Sequence, residues 1–197
     1  RSLAPSMLGM MTACTRSVVV RAFLRTAIGI QQTPPNTVMI SLALFLTFFI
    51  MAPTFQSAYQ NGVKPLIEEQ ITEEEAFTKT LDPFKMFMLK HVRADDLKLF
   101  IDMAKITPEK PEATPLHVII PAFMISELRR AFEIGFMLFL PFLIIDMVTA
   151  SILMSMGMMM LPPVMISLPF KIIFFVLVDG WHLIAGTLVQ SFATGAG

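Results

Sequence analysis

Ionisable side chains interrupt long apolar segments of this sequence. Glu127, Arg129, Arg130 and Glu133 lie between IIPAFMIS and IGFMLFLPFLII, and Lys171 follows LPF. Charges in such surroundings usually pair with each other, face a bundle interior or line a water path. One possibility is therefore that Glu127 pairs with Lys171, within the chain or between subunits. The other is that the cluster forms a helical turn outside a bilayer, with local pairing of Arg129 with Glu133.

The second unusual residue type is methionine, of which the chain has 17. Five lie within residues 152–161, and Met158, Met159 and Met160 are consecutive, shortly before a double proline. Three consecutive residues cannot share one helical face, so with Gly157 the segment is predicted to be a bend or loop. Methionine is unbranched and adaptable. In a ring of subunits such loops could close a pore by excluding water. The alternative is that they fill gaps at a helix end.

Other chemistry is weakly represented. His91, His117 and His182 are far apart and lack paired ligand spacing, so we expect no metal site. The sequence has neither a GxxxxGK[ST] or GxGxxG nucleotide motif nor a GxSxG or HExxH motif. Residues 68–75 are acidic but lack the turn glycine and ligand alternation of a calcium loop. We therefore expect neither an enzyme nor a bound cofactor.

The elements that must position these residues are apolar. Of 197 residues, 55% are hydrophobic and 15% charged, against about 25% charged in ordinary soluble domains. This composition excludes a disordered chain. The zero net charge leaves no basic excess for nucleic acid, and the single cysteine, Cys14, excludes an intrachain disulfide. An integral membrane protein, or a chain that hides its apolar surface in an obligate assembly, remains.

The charges are sorted along the chain. Residues 64–112 hold eight basic and eleven acidic side chains, a net of −3, whereas the remainder carries +3. We therefore predict an all-α chain of membrane-type helical hairpins with a small extramembrane helical insert. Its three parts are an N-terminal hairpin in residues 1–63, a polar insert in 64–115, and a C-terminal hairpin in 116–197 with a methionine loop at 154–163.

The N-terminal apolar segment, residues 3–30, carries Arg16, Arg21 and Arg25. A lipid-facing arginine near the centre of a span costs about 2.5–3.5 kcal/mol on insertion scales. We therefore expect this segment to form a hairpin with the next one and to turn its arginines to protein or water. The positive-inside rule places the arginine end in the cytoplasm and the acidic insert outside it. Because the sequence begins with arginine, we expect a processed or truncated start.

Prolines suggest where helices end. Pro53 predicts the end of regular helix in the first long apolar run. Asp82-Pro83 is typical of a new helix start. We expect two C-terminal passes that reverse at the double proline, each broken or kinked by a proline of its own, Pro141 and Pro169.

Six segments together resemble one known family. In order they are ALFLTFFI at 43–50, PAFMISELRRAFEIGF at 121–136, PFLIIDM at 141–147, GMMMLPP at 157–163, LPFK at 168–171 and VDGW at 178–181. The chain is similar over nearly its whole length to the FliP family of the flagellar type III export apparatus.

The resemblance implies a pore-forming subunit of the flagellar export gate, built into a helical ring. Its partners would be further copies, typically five in all, with FliQ, FliR and other membrane proteins of the apparatus, and unfolded flagellar proteins as cargo. It implies that Met158, Met159 and Met160 form a methionine seal and that Glu127 and Lys171 make charged contacts between subunits. It also implies the bacterial inner membrane at the flagellar basal body, with much of the body on the periplasmic side.

Two other functions are left open by the residues themselves. A structural assembly factor would leave the pore to its partners. An ion-coupled small-solute transporter would use Glu127, Lys171 and Asp179 as intramembrane charges.

Overall fold

A computed structural model describes residues 9–30 and 33–193. The α-helices in these ranges are α1 (Cys14–Ile28), α2 (Asn36–Ala58), α3 (Lys64–Ile67), α4 (Glu73–His91), α5 (Ala94–Ala104), α6 (Leu116–Ser155), α7 (Pro163–Leu177) and α8 (Gly180–Ala193). A π-helix, Tyr59–Val63, joins α2 to α3. The described residues contain no strand, and the all-α prediction is confirmed. The outermost ends of both predicted hairpins, 1–8 and 194–197, lie outside the described residues.

The long helix α6 is the element on which the others assemble. Its 40 residues rise about 60 Å, and α1, α4, α5 and α7 pack against it. One apolar cluster, around Phe123, joins α6 to α2, α4 and the end of α8. A second cluster, around Ala131 and Phe142, joins α6 to α1, α7 and α8. The buried core therefore follows α6 along its length.

Helix α1 closely approaches α6 at Gly135. A β-carbon at this position would lie 2.6 Å from Cδ2 of Phe23, well inside van der Waals contact. The Phe23 ring also meets Phe132 edge to face, with ring centroids 4.8 Å apart. The absence of a side chain at Gly135 therefore sets the distance between the two helices.

The arginines of α1 face protein, as expected. Arg21 is buried, and its guanidinium donates to the backbone carbonyl oxygens of Met39 at 3.1 Å and Leu42 at 3.0 Å, both on α2. Arg25 donates to the side-chain oxygen of Asn36. These bonds join α1 and α2 as a hairpin and keep the charges away from its outer surface.

The helix boundaries predicted at Pro53 and Pro83 are wrong. Helix α2 continues through Pro53 and α4 through Pro83, and α6 likewise continues past Pro141 without a break. Each internal proline removes a backbone hydrogen bond and costs about 3 kcal/mol. Packing outweighs this cost, because the buried stripe continues on both sides of the proline. In α4 it runs from Ala76 across Pro83 to Met88.

The last predicted pass consists of two helices. Helix α7 continues through Pro169 and ends at Leu177, and α8 leaves it at an angle of 62°. Asp179 forms the corner in the left-handed conformation, with φ +49. The ring of Phe175 meets Trp181 edge to face across the corner, with centroids 5.3 Å apart. The 62° change of direction therefore lies at the corner residue, whereas Pro169 lies within the continuous helix α7.

Two helical segments are long and apolar enough to cross a membrane, Asn36–Ile67 and Leu116–Ser155. The bent pair α7 and α8 is a third candidate if it counts as one span. Much of their apolar surface is exposed on the single chain, including Phe45 on α2 and Met137 on α6. Helices that are apolar on all sides suit lipid or protein surroundings, and we treat the chain as a membrane protein.

Replacing Gly135 by alanine should destabilise the fold by about 1–3 kcal/mol, because the new methyl group would displace the Phe23 ring. Gly186→Ala is the matched control, since nothing lies within 4 Å of a β-carbon there. Alanine should stabilise that helix by up to about 1 kcal/mol. Thermal unfolding in detergent measures both variants. A Tm for Gly135→Ala at or above that of the unsubstituted protein would contradict the close approach.

Candidate functional site

The methionine segment forms the turn between α6 and α7, as its glycine and prolines predict. Helix α6 ends in a Schellman motif, in which the amide of Met158 donates to the carbonyl oxygen of Leu153 at 3.0 Å and that of Gly157 to Met154 at 3.1 Å. Gly157 has φ +73, a conformation that a β-carbon disfavours. The glycine therefore ends the helix directly before the three methionines.

The tip of this turn is bare. Met158, Met159 and Met160 are 43%, 85% and 99% exposed. Helix α7 begins at Pro163, whose fixed φ suits the first helical position. The methionine turn, residues 156–162, is therefore fixed at both ends and presents flexible apolar side chains that can contact another surface.

Below the tip, an ion pair joins α6 to α7. Nζ of Lys171 lies 2.6 Å from Oδ2 of Asp146, and the Ser167 hydroxyl donates to Oδ1 at 2.5 Å. Lys171 also donates to the backbone carbonyl oxygen of Ala27, in the last turn of α1, at 3.1 Å. Lys171 and Ser167 are buried, and the Asp146 side chain is 25% exposed. We call Asp146, Ser167, Lys171 and the Ala27 carbonyl the hairpin clamp.

A second ion pair lies fully buried nearer the start of α1. The Arg16 Nε and Nη2 atoms donate to the two carboxylate oxygens of Glu127 at 2.8 and 2.5 Å, and neither side chain is exposed. Nη1 of Arg16 donates to the carbonyl and hydroxyl oxygens of Ser191 at 3.1 and 2.8 Å. The guanidinium carbon lies 3.7 Å from the centroid of the Phe192 ring, a cation–π contact. Arg16 therefore joins α1 to α6 and α8.

Glu127 and Lys171 do not pair with each other within the chain. That possibility is wrong, because each already has a partner: Arg16 for Glu127 and Asp146 for Lys171. A buried charge that gave up such a partner would lose the interaction that compensates its desolvation. A role for Glu127 and Lys171 in contacts between subunits stays a prediction.

Two of the other charges in the cluster pair on the exposed side of α6. Arg129 Nε lies 3.0 Å from a carboxylate oxygen of Glu133, and both side chains are more than half exposed, which confirms the local pairing. Glu127 instead faces the bundle interior. Asp179, at the α7–α8 corner, is also exposed and does not share the buried setting of Glu127.

Sequence reasoning missed the partners of the buried charges. Asp146 carries a signal, since an acidic residue within an apolar helix is expected to face a partner. Nothing in the sequence favours Asp146 over Glu127 as the partner of Lys171, because both acidic residues lie in similar apolar segments. Ser167 and Ser191 carry no signal at all, because only the fold brings their hydroxyl groups to charges elsewhere in the chain.

The insert contributes a buried histidine. His91 is 3% exposed, with Nδ1 2.8 Å from the carbonyl oxygen of Phe87 and Nε2 3.0 Å from that of Phe192. Burial lowers the pKa of His91 despite these two carbonyl contacts, and the positive charges of Arg16 and Lys90 lower it further. His91 is therefore neutral near pH 7, where it ties the insert to the end of α8.

The contacts described for these clusters are hydrogen bonds, ion pairs and ring contacts. In the described ranges, no three His, Cys, Asp or Glu side chains come together as potential metal ligands. What the structure presents is an exposed methionine turn, held by a clamp at its base and by a buried ion pair farther along α6.

Comparison with known proteins identifies the family. The model of the FliP family matches residues 1–188. The chain belongs to the FliP family. Three relatives are named flagellar biosynthetic protein FliP. The one from Caulobacter vibrioides is 63% identical over 197 residues, which are 100% of this chain and 74% of that protein. The one from Bacillus subtilis is 59% identical over 97% of this chain and 87% of its own length, and that from Aquifex aeolicus is 53% identical over 97% and 81%.

The family resemblance inferred from the sequence segments is thereby confirmed. FliP proteins are flagellar biosynthetic proteins, and membership in the family implies a component of the flagellar export apparatus. The segments that contain α2 and α6 are long and apolar enough to cross a membrane, as expected of a FliP protein.

Acidification should destabilise the protein through His91. The pKa of a histidine in the unfolded chain is about 6.5, whereas the pKa of His91 in the fold is lower. The unfolded state therefore binds more protons below this pH, and stability falls by up to about 1.4 kcal/mol per pH unit until the folded pKa is passed. Thermal unfolding in detergent at a series of pH values measures the effect.

The matched variants are His91→Gln and His182→Gln, because His182 is an exposed histidine of the same chain. His91→Gln should flatten the fall in Tm below pH 6.5, whereas His182→Gln should leave it unchanged. Equal slopes for His91→Gln and the unsubstituted protein would show that another group is responsible.

Proposed function

We propose that this chain is a pore-forming subunit of the flagellar type III export gate, which passes unfolded flagellar proteins across the bacterial inner membrane. The observation that carries the proposal is the bare methionine turn at the end of the α6–α7 hairpin. Met158, Met159 and Met160 would form the seal of the pore.

The chemistry of the turn suits a seal that opens for a polypeptide. Residues 147–170 contain no charged side chain, so no charge in this part of the hairpin would attract ions. A ring of such turns would form an apolar constriction that excludes water and ions. Methionine side chains can rearrange around an irregular object, which would let a chain of varied sequence pass.

Assembly with other subunits accounts for the exposed apolar surface. Phe132, Phe136 and Met137 on α6 are each more than half exposed on the single chain. Family membership and this surface support a ring with further copies, five in all, together with FliQ, FliR and other membrane proteins of the apparatus. The ring would lie at the flagellar basal body, with much of its body on the periplasmic side.

Replacing Met158, Met159 and Met160 together by alanine should open the seal while the ring still assembles. The truncated side chains would no longer fill the constriction, so we expect the conductance of the closed complex to small ions to rise at least about tenfold, a loss of about 1.4 kcal/mol or more for the closed state. Conductance of purified complexes in planar bilayers measures this effect, and the mass of the detergent-extracted complex reports assembly.

The control variant replaces Met86 and Met103 by alanine, since both are exposed methionines of the insert, 53% and 67%. It should leave conductance unchanged. If the triple variant assembles normally and its conductance is unchanged, the methionine turn does not form the seal.

An exchange of charges tests the predicted subunit contacts of Glu127 and Lys171. If the two meet across an interface, Glu127→Lys combined with Lys171→Glu should restore the ring that either single variant loses. The pairs within the chain predict the opposite, since the new lysine would face Arg16 and the new glutamate would face Asp146.

Each single variant should lose at least about 3–5 kcal/mol of folding stability, because it replaces a buried ion pair by two like charges. Failure of the double variant to restore the ring would limit both residues to their pairs within the chain. The measurements are Tm and complex mass. Restoration of the ring by the double variant would instead establish the contact between subunits.

A further inference from the structure

The methionine turn depends on its hairpin for its position. The side chains at its tip are exposed, and its described hydrogen bonds are backbone bonds at the ends of α6 and α7. The height and tilt of the tip are therefore set by how the two arms of the hairpin are held together.

The hairpin clamp crosses both arms at the same level. Asp146 lies nine residues before the end of α6 at Ser155, about 14 Å along the helix, and Lys171 lies eight residues after the start of α7 at Pro163, about 12 Å. The Ser167 hydroxyl adds a bond one turn closer to the tip. The clamp therefore fixes the register of the two arms a few turns below the methionines.

The clamp also attaches the hairpin to the rest of the fold. Lys171 Nζ contacts both the Asp146 carboxylate and the Ala27 carbonyl at the end of α1. Helix α1 is itself tied to α6 by the bidentate pair of Arg16 with Glu127. Glu127 lies 19 residues from Asp146, about 28 Å along α6. Two separated ties thus prevent the hairpin from pivoting on α1.

An ion pair specifies register where apolar packing does not. Outside the clamp, residues 147–166 carry no charged side chain, so a shift by one turn would break no other ion pair near the tip. A shifted hairpin would leave Lys171, which is 3% exposed, away from its carboxylate. Burying an unpaired charge is strongly unfavourable, and the pair therefore permits one register.

We propose that Asp146 and Lys171 are positioning residues for the methionine seal, and that the hairpin clamp sets where the tip of each turn stands in the closed gate. This inference rests on the proposed sealing function of the turn. It gives Lys171 a role inside its own subunit and assigns Asp146 and Ser167 to the same device.

The test compares Asp146→Asn, Asp146→Glu and Glu68→Gln in the assembled complex. Asp146→Asn keeps the size of the side chain but removes its charge, so the arms should move relative to each other. Asp146→Glu keeps the charge and should restore the pair. Glu68→Gln is the matched control, because it removes an exposed ion pair, with Lys64, that lies outside the hairpin.

Two readouts separate position from sealing. Spin labels on cysteines replacing the exposed Ser155 and Val164, with Cys14→Ser and dilution by unlabelled copies, report the separation of the arms. Asp146→Asn should broaden that distance distribution, and ion conductance of the closed complex should rise about tenfold. Asp146→Glu and Glu68→Gln should match the parent in both. Ser167→Ala, which removes one hydrogen bond, should change both in the same direction to a smaller extent.

The outcomes distinguish the two ideas. If replacing the three methionines by alanine raises conductance and Asp146→Asn changes neither readout, the seal stands and the positioning role is wrong. If Asp146→Asn broadens the distances but neither it nor the methionine variant leaks, the clamp holds the hairpin and the sealing function is wrong. If the Asp146→Asn variant does not assemble, the Ser167→Ala variant provides the test. A Ser167→Ala complex with unchanged distances between the arms and unchanged conductance would overturn the inference.

Discussion

A charge taken out of water needs a compensating partner, and this requirement ties the helices of the protein together. Arg16 reaches Glu127 across 111 residues of sequence, and the same guanidinium reaches Ser191 at the far end of the chain. Lys171 connects three helices through the Asp146 carboxylate and the Ala27 carbonyl. Apolar surface drives these helices together, but the paired charges decide which faces meet and at what height.

The methionine turn contrasts with these buried ion pairs, because its side chains are exposed. Gly157 ends α6 by adopting a left-handed conformation, and Pro163 begins α7 directly after the turn. Between these two fixed points the methionines are exposed, and they keep the rotameric freedom that an adaptable surface needs. Rigidity at the base and freedom at the tip are therefore both built into one hairpin, which is the combination a deformable seal requires.

Long-range packing also explains why local helix signals fail here. Pro53, Pro83 and Pro141 each occupy a helix interior, although a proline there removes a backbone hydrogen bond. The helices continue because their apolar residues are buried on both sides of the proline. Where α7 does give way to α8, the change of direction falls at Asp179-Gly180, a dipeptide that is itself typical of turns.

The sequence by itself determined the all-α class, the methionine turn and the family. These follow from hydrophobic length, from glycine and proline at fixed offsets, and from six ordered segments, all of which are local in the chain. It also indicated that Arg16, Arg21 and Arg25 turn to protein or water, because an isolated charge is costly in an apolar helix. The division into three parts and the sealing role of the turn stay predictions.

Only the tertiary structure decided which charge pairs with which. Glu127 and Lys171 were plausible partners by residue type, yet the fold places Glu127 against Arg16 and Lys171 against Asp146. The choice depends on the packing of α1 and α7 against α6, which no local pattern specifies. The carbonyl of Ala27 and the hydroxyl groups of Ser167 and Ser191 become ligands for the same reason. Their chemistry is ordinary, and it is their distance in the folded chain that makes them part of the site.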